Sequence, residues 1–242
     1  MKPIIFSGEM VRAILDGRKT QTRRVVKFLP GTTGHKPELR TPEWPILFCP
    51  TGIKRPRYKI GDILWVRETW GFDTGDDDEY GTGSFVYKAN NGEESPHGWH
   101  PSIHMPRVAA RLFLRVADVR VERVQEISEA DAVAEGITRM FDYLSPAEYD
   151  DWSKRVGHFT PQNEEDYTNY LWHGHFGQYG MGNRQSDAWE YQYSGYASAV
   201  GSFSSLWELI NAKRGYGWNT NPWVWVYTFE RIEESEALEV AP

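Results

Sequence analysis

The 242-residue chain has a single cysteine, Cys49, which excludes an intramolecular disulfide and any cysteine-based zinc framework. No stretch approaches the roughly 18 consecutive apolar residues of a membrane span, and no apolar run follows the initial Met-Lys-Pro. The expectation is a soluble cytoplasmic protein with no signal peptide, anchor or membrane partner. Several fingerprints are also missing: the Walker loop, the Rossmann glycines, the G-x-S-x-G elbow, the zinc-deaminase pattern and any internal repeat. No cofactor is therefore expected. His97, His100 and His104 share one loop but lack a carboxylate or cysteine partner at useful spacing, so no metal is expected either. Net positive charge is lacking too: the formal charge is −7, which argues against nucleic-acid binding through the whole surface.

What is present is unevenly spread. Residues 1–70 hold 14 Lys/Arg against 6 Asp/Glu, and residues 71–242 hold 13 against 28. A basic first third on an acidic remainder suits a local phosphate-facing patch, or simply two charge sets that neutralise each other in one fold. Hydrophobic content of 40% with 14% aromatics is enough for a real core. Most of the eleven tryptophans are expected to serve it.

Along the chain, Pro3–Phe6 reads as a strand. Ser7 then caps a helix with Met10, Val11, Ile14 and Leu15 on one face, and Gly17 ends it. Gln21–Phe28 is extended. Residues 29–58 form an irregular loop rich in Pro, Gly and basic residues, among them Lys36, Arg40, Lys54, Arg55 and Arg57. One strand is expected over Ile63–Trp70, an acidic hairpin tip over residues 71–84, a strand over Ser84–Ala89 and a long β stretch over Arg107–Val124. Ile127 and Ser128 open a short helix that Gly136 closes, which leaves Glu135 at the end where the helix dipole disfavours a negative charge. Ser145-Pro146 starts another helix, which runs to about Val156. Residues 158–202 are aromatic-rich without clean periodicity and read as an ordered insertion that roofs the core or meets a partner. Phe203, Leu206, Trp207 and Ile210 mark a last helix, with Ser205 and Glu208 spaced as its capping box. Trp223–Arg231 is the final strand, followed by an acidic, frayed tail.

The chemistry concentrates in Gly17-Arg18-Lys19-Thr20-Gln21-Thr22-Arg23-Arg24, a helix stop followed by cations and hydroxyls. In an extended chain Thr20, Thr22 and Arg24 share one face and Lys19, Gln21 and Arg23 the other. A bend at the helix exit brings Lys19 round toward Thr22. On composition alone these are solvated edge charges with an ordinary β-branched residue among them. The alternative is that a Lys amine helps to deprotonate a Thr hydroxyl, which is too weak a nucleophile unaided.

Here Gly17, Lys19, Thr22 and Arg24 resemble the G-x-K-x-x-T-x-R motif of the ASCH domain, a PUA-like β-barrel associated with RNA. Gly61–Val66 resembles the family's second strand, Ile127–Gly136 its short helix ending in Glu, and Pro222–Phe229 its closing strand. The resemblance implies an α+β fold: one PUA-like mixed barrel with short flanking helices over residues 1–232, a large aromatic-rich insertion, and a tail at 233–242. Insertions fall at about 29–58, 71–104 and 138–202. This mosaic resembles phage or prophage members, which act in the host cytosol.

Small family members that hydrolyse the amide of N4-acetylcytidine carry a Lys and a Thr in this motif and a Glu on the later helix. The resemblance therefore implies Lys19 as proton acceptor, Thr22 as nucleophile and Glu135 as proton donor to the leaving amine. A Lys is a base near neutrality only when desolvation or nearby cations favour its neutral form, and Arg18, Arg23 and Arg24 surround Lys19 in sequence. A protonated Glu135 fits the donor's role. Arg24 suits the oxyanion or a substrate phosphate, and Arg18, Arg23, Trp65, Glu68 and Trp70 are further candidate substrate contacts. Trp65, Trp70 and Trp99 are candidates to stack on a base, with core packing the plainer fate of each. The partner is a nucleoside or RNA carrying a modified base. Two other readings stay open: a non-catalytic nucleotide reader and a ribonuclease.

Overall fold

A computed structural model describes residues 1–28, 56–73, 83–91, 97–139, 170–172 and 198–240. The chain divides into two units, Met1–Arg123 with Trp223–Pro242, and Val124–Pro222. In chain order the elements are β1 (Lys2–Ile5), α1 (Gly8–Leu15), β2 (Gln21–Val25), β3 (Ile63–Arg67), β4 (Trp70–Asp73), β5 (Ser84–Tyr87), α2 (Lys88–Asn91) and β6 (Phe113–Arg123). There follow α3 (Glu129–Ala134), β7 (Ile137–Arg139), β8 (Tyr170–Trp172), α4 (Ala199–Asn211), β9 (Trp223–Ile232) and α5 (Glu234–Val240). The protein is α+β. No described helix is long and apolar enough to cross a membrane.

The first unit is built on an open five-stranded sheet of order β1-β3-β6-β9-β2. β1 runs parallel to β3 and the other neighbours are antiparallel. Because side chains alternate along a strand, β9 sends Trp223, Trp225, Tyr227 and Phe229 to one face. There they pack with Leu64, Val66, Leu114 and Val116, with Ile4 and Phe6, and with Val11 and Ile14 of α1. The other face holds a second core of Ile63, Trp65, Phe113 and Ile232 against Met105, Ala109, Ala110 and Ala237. The pairing of β6 with β9 shifts between Val116 and Asp118. One extra residue reverses the alternation, so Val116 and Val119 both reach the first core although three positions apart.

Helix α1 follows from its sequence. The Ser7 hydroxyl accepts the Met10 N–H at 3.4 Å, Glu9 lies in the first turn, and Val11, Ala13 and Ile14 are buried. Burying Val11 and Ile14 contributes about 1.5–3 kcal/mol each. The stop is a Schellman turn: Gly17, at φ 73°, donates to the Ile14 carbonyl at 3.0 Å, and Arg18 to that of Ala13 at 2.9 Å. The Lys19 N–H also reaches Ala13, at 2.9 Å, so the backbone of the basic stretch is tied to the helix end.

Three expectations are corrected in this unit. The strand expected over Ile63–Trp70 breaks at Glu68, whose N–H donates to the Met105 sulfur at 3.2 Å, and β4 begins afresh as half of a hairpin with β5. The strand after the tip ends at Tyr87, and the next residues turn into α2. The segment expected to fray is helix α5. Ala237 is fully buried in the second core, and Arg115 of β6 pairs with both Glu230 and Glu236.

In the second unit, α3 is capped as expected: the Ser128 hydroxyl accepts the Asp131 N–H at 3.1 Å. Gly136 closes it at φ 99°. β7 pairs with β8. Helix α4 starts earlier than expected, because Ser198 is its cap and accepts from Gly201 at 3.0 Å. The Glu129 carboxylate also takes the Ala199 N–H at 2.7 Å. Ser205 therefore lies inside the helix, and Glu208 instead accepts the Trp218 N–H at 2.6 Å. The helix expected from Ser145, most of the 158–202 insertion, and Lys36, Arg40, Lys54 and Arg55 lie outside the described residues.

Candidate functional site

The basic stretch enters β2 with its side chains divided between the two faces. Thr22 stands opposite Tyr227 and Arg24 opposite Trp225, both on the first-core face, whereas Arg23 stands opposite Val226 on the other. The Schellman turn brings Lys19 to the first-core face as well. Its Nζ lies 5.7 Å from the centroid of the Phe6 ring, and the Arg24 Cζ lies 5.5 Å from the same centroid. Phe6 in turn packs on Phe229 at 6.0 Å. An amine and a guanidinium thus meet at one apolar ring, on the sheet face that also carries Thr22.

Burial sets the chemistry of this group. Lys19 is 2% exposed and Thr22 4%, while Arg24 is exposed and donates from Nη2 to the Ile5 carbonyl at 2.9 Å. Ile5 ends β1, one edge of the sheet, and Arg24 lies on β2, the other edge. The Arg24 side chain therefore links the two edge strands. Opposite Thr22, the Tyr227 hydroxyl accepts the Arg57 N–H at 3.1 Å and is pushed up to about 12, chiefly by burial, with backbone hydrogen bonds pulling against it. Tyr58 meets the Tyr227 ring edge-on at 5.2 Å and donates its hydroxyl to the Pro3 carbonyl at 2.7 Å.

The remaining expected contacts lie elsewhere or are committed to protein partners. Arg18 pairs with Asp16 at 2.7 Å, next to the helix stop. Arg23, with a side chain 1% exposed, donates to one Glu122 oxygen from Nε at 3.0 Å and Nη2 at 2.7 Å. The other Glu122 oxygen takes Arg120 Nε at 3.1 Å. That is a buried structural ion pair on the face away from Lys19. Trp65 sits in the second core, on that same face, with the Arg67 guanidinium 5.0 Å from its ring. Glu68 is buried and held bidentately by Arg111, both contacts at 2.9 Å. Trp70 is half-buried between Phe85 at 5.7 Å and His100 at 4.8 Å, and Trp99 is half-buried too. Glu135 belongs to the second unit, where it is the C-cap of α3 and 4% exposed.

Sequence reasoning passed over Phe6, Tyr227 and Arg111 as functional neighbours. Phe6 and Tyr227 look like ordinary core residues. Arg111 did leave a signal: a charge set inside the apolar run Ala109–Leu114 needs a partner when buried. Among the described residues, no group of three or more His, Cys, Asp or Glu is placed to hold a metal ion. No protein-family model, curated protein or solved structure matches this chain.

Proposed function

We propose that this protein is an ASCH-type amidohydrolase that removes the acyl group from an N4-acylcytidine-like base, with its sheet a PUA-like barrel. One observation carries the reading: Lys19 and Thr22 are both withdrawn from water, with the amine and the Arg24 guanidinium drawn onto the Phe6 ring. The Thr22 hydroxyl is too weak a nucleophile unaided, and the Lys19 amine is the base proposed to activate it. The Thr22 hydroxyl attacks the acyl carbonyl as its proton passes to Lys19, and the tetrahedral oxyanion forms beside Arg24. Collapse expels the cytosine N4 as an amine, protonated by Glu135, and water then hydrolyses the acyl-threonine ester. The resemblance alone assigns Glu135 this part. For the barrel, the support is the Arg24 bond to Ile5, which joins the two edges of the sheet.

Incubation with N4-acetylcytidine, and separately with labelled RNA and DNA, tests the proposal. Deacetylation is expected in the wild type. Lys19→Ala and Glu135→Gln should each lower its rate by about 10²–10⁴, and Thr22→Ala should abolish the acyl-enzyme. Activity in Lys19→Ala and Thr22→Ala equal to the wild type would remove both roles. Tight binding without product would mark a reader, and chain cleavage a ribonuclease.

A further inference from the structure

Across the strand pair from Thr22 stands a buried phenol whose hydrogen bonding is one-sided. Two residues along, the Phe229 N–H donates to the Thr20 carbonyl at 2.9 Å. Thr22 and Tyr227 are therefore a hydrogen-bonded pair, with Cα atoms about 5.5 Å apart. Side chains stand roughly perpendicular to a sheet, and both of these leave it on the first-core face. The longer tyrosine holds its hydroxyl farther from the sheet than Thr22 holds its own.

The Tyr227 oxygen is already used as an acceptor. It takes the Arg57 N–H at 3.1 Å, and the Tyr58 backbone hydrogen-bonds it as well. A phenol so occupied can only donate. Among the described residues no acceptor takes its proton, although Tyr227 is 1% exposed. The neighbouring Tyr58 hydroxyl, by contrast, donates to the Pro3 carbonyl. A buried donor left without an acceptor costs free energy that a bound acceptor would return. Burial also holds the Tyr227 pKa up at about 12, so at neutral pH the proton is present and the group brings no charge. Arg24 bears electrostatically on the same phenol. Tyr227 thus shares the neighbourhood of the guanidinium that the proposed reaction sets beside the oxyanion.

We infer that Tyr227 binds the substrate by donating its hydroxyl to the acyl oxygen, as a second oxyanion donor beside Arg24, a role that rests on the deacylase reading. As the bond from Thr22 Oγ1 to the acyl carbon forms, the π pair of the carbonyl moves onto its oxygen. That oxygen accepts the hydrogen bond, and the proton stays on the phenol. With its oxygen filled by backbone N–H groups, Tyr227 selects for an acceptor at this place, a carbonyl oxygen rather than an amino group.

Tyr227→Phe removes the donor and keeps the ring. With N4-acetylcytidine its kcat should fall by about 10²–10³ while KM changes by less than about threefold, because the bond is made in the transition state. The second readout is N4-thioacetylcytidine, whose sulfur is a weak acceptor. The intrinsic reactivities of the two substrates cancel when enzymes are compared, so Tyr227→Phe should lose about tenfold of the wild-type preference for oxygen. A slower variant with an unchanged preference marks a structural role and overturns the inference. So does wild-type kcat in Tyr227→Phe, which leaves the deacylase standing. No deacetylation by the wild type removes the deacylase and this role together. Where Tyr227→Phe fails to fold, a ring-fluorinated tyrosine at the same position is near in size and a stronger donor. It should raise the preference for oxygen, and an unchanged preference overturns the inference.

Discussion

Replacing Gly17 by alanine tests the link between the helix stop and the site. Gly17 adopts φ 73°, and a Cβ built there meets nothing within 4 Å. Any penalty is therefore conformational. An L-residue in the left-handed region costs about 1–2 kcal/mol. The stiffer unfolded chain returns about 0.4–1 kcal/mol, which leaves a net loss of about 1 kcal/mol. In a chain of this size that lowers Tm by about 2–4 °C. Gly61 supplies the control, with φ 81° and equally open surroundings, in the turn before β3. Thermal melts of Gly17→Ala and Gly61→Ala should fall by similar amounts. Only Gly17→Ala should also slow the proposed deacetylation, because only that turn ties the Lys19 backbone to the Ala13 carbonyl. Gly17→Asn should recover most of the loss, since Asn tolerates the left-handed region. A Gly17→Ala protein as stable as the wild type, or one that slows the reaction no more than Gly61→Ala, would refute the reasoning.

Removing Glu122 takes away the carboxylate that accepts from Nε and Nη2 of the buried Arg23, so Glu122→Ala should lose about 1–3 kcal/mol in a urea melt, with Arg23→Met/Glu122→Leu recovering most of it. A loss under about 1 kcal/mol would show the pair to be solvated. Tyr227 is neutral in the fold and its pKa is raised to about 12, so its stabilisation is complete below pH 10 and is lost as pH climbs through 12. The full loss is about 3 kcal/mol; urea melts at pH 8 and pH 11.5 should show Tyr227→Phe less stable at the lower pH but with a flatter decline. Ser128→Ala should lose about 1 kcal/mol of stability, because the first turn of α3 loses its side-chain acceptor.

The signals legible in the sequence were those that act within a few residues. Ser7, Gly17, Ser128 and Gly136 marked helix ends correctly, because caps and left-handed turns are local hydrogen-bond problems. The long strands β6 and β9 were legible for the same reason, since alternation needs no partner to be seen, although the β stretch expected from Arg107 begins only at Phe113, after a short 3-10 turn over Arg107–Ala109. Where the outcome hung on distant partners, local reading fell short. The strand through Glu68 broke because the Met105 sulfur and Arg111 hold that residue, and both lie far along the chain. The acidic tail became a helix because Ala237 finds a core to enter and Arg115 pairs with the adjacent Glu236.

The candidate site divides along the same line. Sequence alone determined that a glycine-stopped helix would be followed by an amine at its exit and then by a hydroxyl and two arginines in one strand. It could not decide which arginine would face which side of the sheet, since that depends on register. The tertiary structure gave Arg23 to Glu122, 99 positions away, and left Arg24 beside Phe6 and Lys19. The physical reason is that a strand has two faces and no preference between them until its neighbours bury one, and those neighbours are residues no local pattern names.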